Sequence, residues 1–211
     1  MCRIIVSLKE RGKKKKYLHI NFSDGSSLKL DKEAVVGDFL FEGKSLTEED
    51  YLSLIEAQEL REIYIKALRM LARRSHSRGE LRAKLSRRGY QPGNIDEVLS
   101  RIAEEGYLDD RSFAFEFAGY YLRRKPCGRK LLEYELKRRG VTVRYIHEAL
   151  NEVFSEVDEY TEAKELADRK LKQYEKYEGR ELKGRLYRFL YNRGFPPDII
   201  YEVVNEKVKD N

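Results

Sequence analysis

Three stretches of this 211-residue chain superpose without a gap, and that internal repeat limits the possible folds more than any other feature. They are ELRAKLSRRGYQPGNIDEVLSRI from Glu80, LLEYELKRRGVTVRYIHEALNEV from Leu131 and RLYRFLYNRGFPPDIIYEVVNEK from Arg185. The register is set by Gly89, Gly140 and Gly194, spaced 51 and 54 residues apart. Leu81, Leu132 and Leu186 stand eight residues before each glycine, and Leu85, Leu136 and Leu190 stand four before. Tyr90, Val141 and Phe195 follow the glycines directly. Six residues past each glycine come Ile95, Ile146 and Ile200, and ten past come Leu99, Leu150 and Val204.

Apolar residues four apart mark one face of a helix, so each stretch predicts two helices broken at the glycine. Glycine takes the left-handed conformation that ends a helix at little cost. The preceding Arg88, Arg139 or Arg193 suits the negative end of the helix dipole. Pro92, Thr142 and Pro196-Pro197 suit the start of the next helix. Ser77-Arg78-Gly79-Glu80 has the capping-box pattern for the helix that precedes Gly89. The upstream segments IYIKALRMLARR, SFAFEFAGYYLRR and EAKELADRKLKQY supply a third helix per unit. Units this small are expected to share core with their neighbours in an elongated array.

The first 45 residues lack the helical period. RIIVSLK alternates Ile4, Val6 and Leu8 with polar neighbours apart from Ile5, and YLHINF alternates Leu18, Ile20 and Phe22. Both predict half-buried strands. Asp24-Gly25 then introduces SSLKL as a tight hairpin, for three strands in all. The Lys13 to Lys16 run fits an exposed hairpin tip, either solvated or touching phosphate. From Thr47, followed by Glu48, Glu49 and Asp50, a capped helix is predicted to run through Ala67, Leu68 and Leu71. The expected fold is mainly α: tandem three-helix repeats behind a small β-rich N-terminal region. The expected domains are 1–45 for the β-rich head, 46–110 for a helical lead-in and first repeat, 111–158 for the second and 159–211 for the third.

Charge is distributed unevenly over this plan. Residues 1–60 hold ten Lys and Arg against eleven Asp and Glu, whereas the remainder holds 33 against 26. The excess collects in blocks. Residues 73–88 contain Arg73, Arg74, Arg78, Arg82, Lys84, Arg87 and Arg88 against Glu80 alone. Residues 123–139 contain Arg123, Arg124, Lys125, Arg129, Lys130, Lys137, Arg138 and Arg139 against Glu133 and Glu135. A weaker block over 180–193 includes Arg180, Lys183, Arg185, Arg188 and Arg193 against Glu181. By contrast, residues 145–162 carry six acids and no Lys or Arg. Such blocks either trade ion pairs inside the fold or present a basic face to an acidic protein surface or nucleic acid. A charged face recurring in each unit suits a partner that also repeats. The candidate face comprises Arg73, Arg74, Arg78, Arg82, Lys84, Arg87, Arg88, Arg123, Arg124, Arg129, Lys130, Lys137, Arg138, Arg139, Arg188 and Arg193.

Several function classes find no support. Cys2 and Cys127 have no metal-ligand spacing and read as ordinary reduced thiols. His19, His76 and His147 are scattered, and no phosphate-cradling loop is present. Glu104-Glu105 and Asp109-Asp110 read as solvated or capping carboxylates. The expectation is therefore no catalytic site, no metal and no cofactor. No apolar run approaches the roughly 20 residues needed to span a bilayer, and the N-terminus lacks the order of a secretory signal. A cytoplasmic monomer is the plain expectation. The main alternative is direct DNA binding by helix-turn-helix-like units. No helix gathers the Asn, Gln and Arg needed to read base edges, so contacts would go to phosphates of single- or double-stranded DNA.

LARRSHSRGELRAKLSRRGY, EEGYLDDRSFAFEFA, GRKLLEYELKRRGV and GRLYRFLYNRGF, in that order, resemble successive landmarks of the RecX family. The resemblance covers residues 67–204, with Gly106-Tyr107-Leu108-Asp109-Asp110 its most specific piece. It implies three tandem three-helix units that bind the RecA recombinase filament along its groove. It further implies restraint of filament growth, ATP hydrolysis and strand exchange in DNA recombination, repair and the SOS response. Some members of the family also bind DNA. The family has no catalytic residues to carry over. The first 60 residues and the Pro126-Cys127-Gly128 turn stand outside its shared pattern.

Overall fold

The computed structural model describes residues 2–13, 16–35 and 40–208. Two compact units divide the chain: Met1–Ser75 with Leu81–Leu108, and His76–Glu80 with Asp109–Asn211.

The first unit opens with an antiparallel sheet of four strands among the described residues, one more than the sequence predicts. They are β1 (Arg3–Arg11), β2 (Tyr17–Phe22), β3 (Ser27–Asp31) and β4 (Ser45–Leu46), in the order β3-β2-β1-β4. β4 straddles the expected boundary at residue 45; two residues are too short for alternation to show. Leu18, Ile20 and Phe22 face inward as predicted, but β1 corrects the sequence reading. Its inward residue is Ile5, whereas Ile4 and Val6 are exposed. The cause is a bulge: Ile5 pairs with Phe22 and Ser7 with Asn21, so one extra β1 residue breaks the alternation. Gly25, at a φ of 84°, makes the β2–β3 turn at Asp24-Gly25. Of the Lys13 to Lys16 run, Lys14 and Lys15 lie outside the described residues, and Lys16 pairs with Asp31 at 3.4 Å.

Helix α1 (Glu48–Leu71) begins at a Thr47 capping box in which Asp50 supplies the returning carboxylate. Its first half closes the head, with Leu54 buried beside Ile5, Ile20, Phe22, Leu30 and Leu46. Its second half belongs to a different core. Ile63 and Ala67 pack there with Leu81 and Leu85 of α2 (Arg78–Ser86), with Ile95, Val98, Leu99 and Ile102 of α3 (Pro92–Glu104), and with Leu108. Among the described residues, none from the head enters that cluster. We therefore expect deletion of residues 1–45 to leave a soluble chain whose helical circular dichroism is retained. Collapse of the helical signal would mean that the head is required by the first repeat.

The second unit contains α4 (Asp110–Arg124), α5 (Arg129–Arg138) and α6 (Val143–Val153), then α7 (Glu159–Leu171), α8 (Gly179–Asn192) and α9 (Pro197–Lys207). The repeat positions recover their predicted places. Leu132, Leu136, Ile146 and Leu150 are buried in one core, and Leu186, Leu190, Ile200 and Val204 in the next. Each such leucine contributes about 1.5–3 kcal/mol by leaving water. Gly89, Gly140 and Gly194 have φ of 85°, 72° and 85°, the left-handed helix ends that the sequence requires. The fold is thus mainly α, with three-helix repeats in tandem behind a β-rich head.

Candidate partner interface

The joints between helices decide which cations the fold uses for itself. In the second unit, Asp109 caps its own helix, α4, by accepting from the Arg111 and Ser112 N–H groups at 2.9 and 3.1 Å. Its neighbour Asp110 turns the other way and accepts from the Arg78 N–H at 2.6 Å, capping the start of α2. The pair Asp158-Glu159 repeats the device. Asp158 accepts from the Tyr160 N–H of α7 at 3.1 Å, and Glu159 accepts from the Arg129 N–H at 2.8 Å at the start of α5. The same helix starts rest on glycine helix ends. Ser77 Oγ donates to the Arg139 carbonyl at 2.5 Å, and the Gly128 N–H donates to the Arg193 carbonyl at 2.9 Å. The Lys130 N–H reaches the Gly194 carbonyl at 3.2 Å. The capping reading of Asp109-Asp110 is therefore right for both residues, and Asp110 serves a helix that begins 32 positions earlier.

Arg139 belongs to this joint. It pairs with Glu135 at 2.5 Å and Glu80 at 3.7 Å, and its guanidinium lies 4.1 Å from the Phe117 ring centre. Burial works against the Glu135 charge, but Arg139 and then Arg138 hold its carboxyl below the ordinary glutamate value of 4.5. The Ser112 hydroxyl and N–H do the same for Asp109, below the ordinary aspartate value of 3.8. Burial instead pushes the Asp110 carboxyl up, against the Arg78 N–H. Depressed carboxyls stabilise the fold above their unfolded values and lose that contribution as pH falls through the folded ones. Asp110 acts in the opposite sense, but more groups are depressed than raised. The melting temperature should therefore hold near neutrality and fall once pH drops below about 4. A melt unchanged down to pH 3 would contradict this.

Other cations named from sequence are also committed. Arg82 grips Asp96 through two nitrogens, at 2.7 and 3.0 Å. Lys137 pairs with Glu133, and Arg138 with Glu135 at 3.1 Å. Arg129 reaches Asn151, and Arg124 meets the Tyr120 hydroxyl at 2.5 Å. Arg74 donates to the Ser75 carbonyl at 2.6 Å. Arg78 and Lys84, both half-buried, also have partners in the fold. Among the described residues, Arg73, Arg87, Arg88, Arg123, Lys130, Arg188 and Arg193 meet no carboxylate within 4 Å, and all but Arg193 are exposed.

In the first unit, the structure leaves Arg73 after α1 and Arg87 with Arg88 after α2. Arg87 only folds back onto the Ala83 carbonyl, at 3.1 Å. In the second unit, Arg123 lies in the last turn of α4, Lys130 in the first turn of α5, and Arg188 and Arg193 on and just past α8. Sequence reasoning passed over Lys170, which lies over the Phe189 and Tyr174 rings at 5.3 and 4.9 Å. Only the placement of α7 beside α8 brings it to Arg188 and Arg193. Among the described residues no group of His, Cys, Asp and Glu could hold a metal ion, and no helix is long and apolar enough to cross a membrane. Burial pushes the Cys127 thiol up to about 12, which keeps it protonated and unreactive.

This architecture defines a class, the tandem three-helix repeat proteins with glycine-ended middle helices and exposed unpaired arginines. Comparison with known proteins makes it specific. Residues 64–101, 109–150 and 156–204 match, in order, the first, second and third three-helix domains of RecX. The chain is 36% identical to the Regulatory protein RecX of Chlorobium phaeobacteroides (strain BS1) over 142 residues, covering 66% of this chain and 89% of that one. It is 40% identical to the Regulatory protein RecX of Halorhodospira halophila (strain DSM 244 / SL1) over 132 residues, covering 63% and 80%. A crystal structure of regulatory protein RecX superposes with a TM-score of 0.73 at 18% identity, covering 97% of this chain and 99% of that one. This chain belongs to the RecX family of regulatory proteins.

Proposed function

We propose that this chain binds the RecA recombinase filament and restrains its growth, its ATP hydrolysis and its strand exchange in DNA recombination and repair. Family membership supports the regulatory role. The observation that supports the binding face is the set of five exposed arginines and one lysine left without acidic partners among the described residues, Arg73, Arg87, Arg88, Arg123, Lys130 and Arg188. Uncompensated cations on successive repeats suit a repeating acidic surface, where several weak contacts combine. The same groups suit phosphates, so direct DNA binding is the alternative that the test must separate. The reading includes a cytoplasmic, non-enzymatic monomer that requires no cofactor. It also keeps the head at 1–45 and the repeats at 46–110, 111–158 and 159–211.

The test is an ATP-hydrolysis assay with RecA on single-stranded DNA, run alongside binding to bare DNA over a range of salt. The purified chain should turn over no ATP alone and should lower the DNA-dependent rate of RecA. Intrinsic turnover that survives purification would contradict the non-enzymatic reading. Equal affinity for bare and RecA-coated DNA at every salt concentration would favour the DNA alternative.

A further inference from the structure

The outer face of the head sheet carries a group of basic side chains of its own, and pairing across the strands decides which they are. Leu8 pairs with Ile20 and both pack inward. The next pair, Lys9 with His19, therefore points outward, and His19 pairs in turn with Lys29 of β3. Lys9, His19 and Lys29 form one row across three strands, and Arg11 extends it along β1. Lys9, Arg11 and Lys29 are exposed, and His19 is half-buried. On the other side of the bulge, the same strand exposes Ile4 and Val6. The bulge thus joins two exposed aliphatic side chains to a basic row.

The acids of the head are engaged elsewhere. Asp24 pairs with Arg3 at 2.8 Å and Asp31 with Lys16 at 3.4 Å. Glu10 pairs with Lys32, Glu33 pairs with Arg61, and Glu42 accepts from the Leu8 N–H at 3.0 Å. Among the described residues, no carboxylate lies within 4 Å of Lys9, Arg11 or Lys29. Like charges gathered on one sheet face cost stability unless something offsets them. Spacing indicates what fits. Residues two apart on a strand stand about 6.4–6.8 Å apart, which is also the spacing of same-side residues in any extended chain. Acids at alternate positions of such a chain would meet Lys9 and Arg11, while apolar residues farther along would meet Ile4 and Val6.

We propose that the outer face of the head sheet docks an extended protein segment that combines acidic with apolar residues. Charge complementarity selects the acids, and Ile4 and Val6 select the apolar residues. A nucleic-acid strand would leave Ile4 and Val6 without a role. Among the described residues of this face the one aromatic ring is Tyr17, half-buried with Lys29 4.2 Å from its centre, so it offers no open surface for a base. A lipid surface calls for apolar side chains that reach past the cations, whereas Ile4 and Val6 are shorter than the lysines beside them. The face uses none of the helical cations, so it goes beyond the filament reading and does not rest on it.

The test reads the head alone in the intact chain, through protection of the Lys9 amine from acylation, followed by mass spectrometry. Four probes are titrated: a random copolymer of glutamate and tyrosine, polyglutamate, oligothymidylate, and vesicles containing phosphatidylserine. The copolymer should protect Lys9 saturably and at a lower concentration than any of the other three. Arg11→Glu with Lys29→Glu should raise the half-protecting concentration by roughly tenfold or more. Ile4→Ser with Val6→Ser should raise it by about threefold or more for the copolymer and leave polyglutamate unchanged. Circular dichroism and the melting temperature should match the wild type in both variants, since all four positions are exposed. The proposal is overturned if the copolymer leaves Lys9 reactive, or if oligothymidylate or the vesicles protect it at lower concentration. It is equally overturned if both folded variants are protected like the wild type. No filament is present and no helical cation is changed, so failure here leaves the filament reading standing.

Discussion

Replacing Gly194 by alanine should lower the melting temperature at least twice as far as the same change at Gly89, although the two glycines occupy one repeat position. Both have a φ of 85°, a conformation that costs an L-residue about 1–2 kcal/mol. They differ in what surrounds them. A Cβ at Gly89 would meet nothing within 4 Å. A Cβ at Gly194 would lie 2.2 Å from the Leu131 backbone nitrogen and 2.5 Å from the Leu131 Cβ, and those atoms cannot move without shifting the start of α5. Overpacking of that kind adds about 1–3 kcal/mol or more.

Gly128 separates the two causes, because its φ is an ordinary −75° while its Cβ would stand 2.3 Å from the Gly194 carbonyl oxygen. Gly128→Ala should therefore be costly through crowding alone, and Gly89→Ala through backbone strain alone. At about 2–4 °C per kcal/mol for a chain of this size, thermal melts resolve all three. Equal shifts for Gly89→Ala and Gly194→Ala would mean that the helix joint relaxes freely.

The glycines were legible as helix ends because helix termination is a local event. Their second role was hidden, since nothing in the repeat tells which helix start will rest upon them. The same division runs through the rest of the fold. Thr47 with Asp50, and the Asp24-Gly25 hairpin, act within a few residues and were readable. The β1 bulge depends on pairing with β2, so alternation alone assigned Ile4 and Val6 to the wrong face. The basic blocks were visible as blocks, but not which members remain available. Arg82 is neutralised from 14 residues away by Asp96, and Arg139 meets a carboxylate 59 residues earlier in the chain, Glu80. Lys170 joins the α8 cations only through the packing of α7 on its repeat. Long-range packing thus turned sixteen nominated cations into a smaller set without acidic partners.

That smaller set directs the charge-reversal experiment. Arg87→Glu with Arg88→Glu should weaken filament binding by roughly tenfold or more at low ionic strength. Lys130→Glu with Arg123→Glu should do the same from the second unit. Each pair changes the local charge by four units at positions with no acid within 4 Å among the described residues. All four side chains are exposed, where a charge contributes at most about 1 kcal/mol to folding, so the melting temperature should barely move. Arg139→Gln should behave in the opposite way. It removes the partner of Glu135 and Glu80 at a helix joint, and should cost stability before it costs binding. Salt supplies the internal control. The Debye length shrinks from about 30 Å at 0.01 M to about 8 Å at 0.15 M, so attraction between exposed charges is already reduced in the wild type at the higher concentration. The gap between wild type and the reversed variants should accordingly narrow as salt rises. A folded Arg87→Glu, Arg88→Glu variant that binds RecA filaments like the wild type at low salt would mean that these arginines only keep the surface wet. The contact would then have to lie on a face other than the unpaired cations.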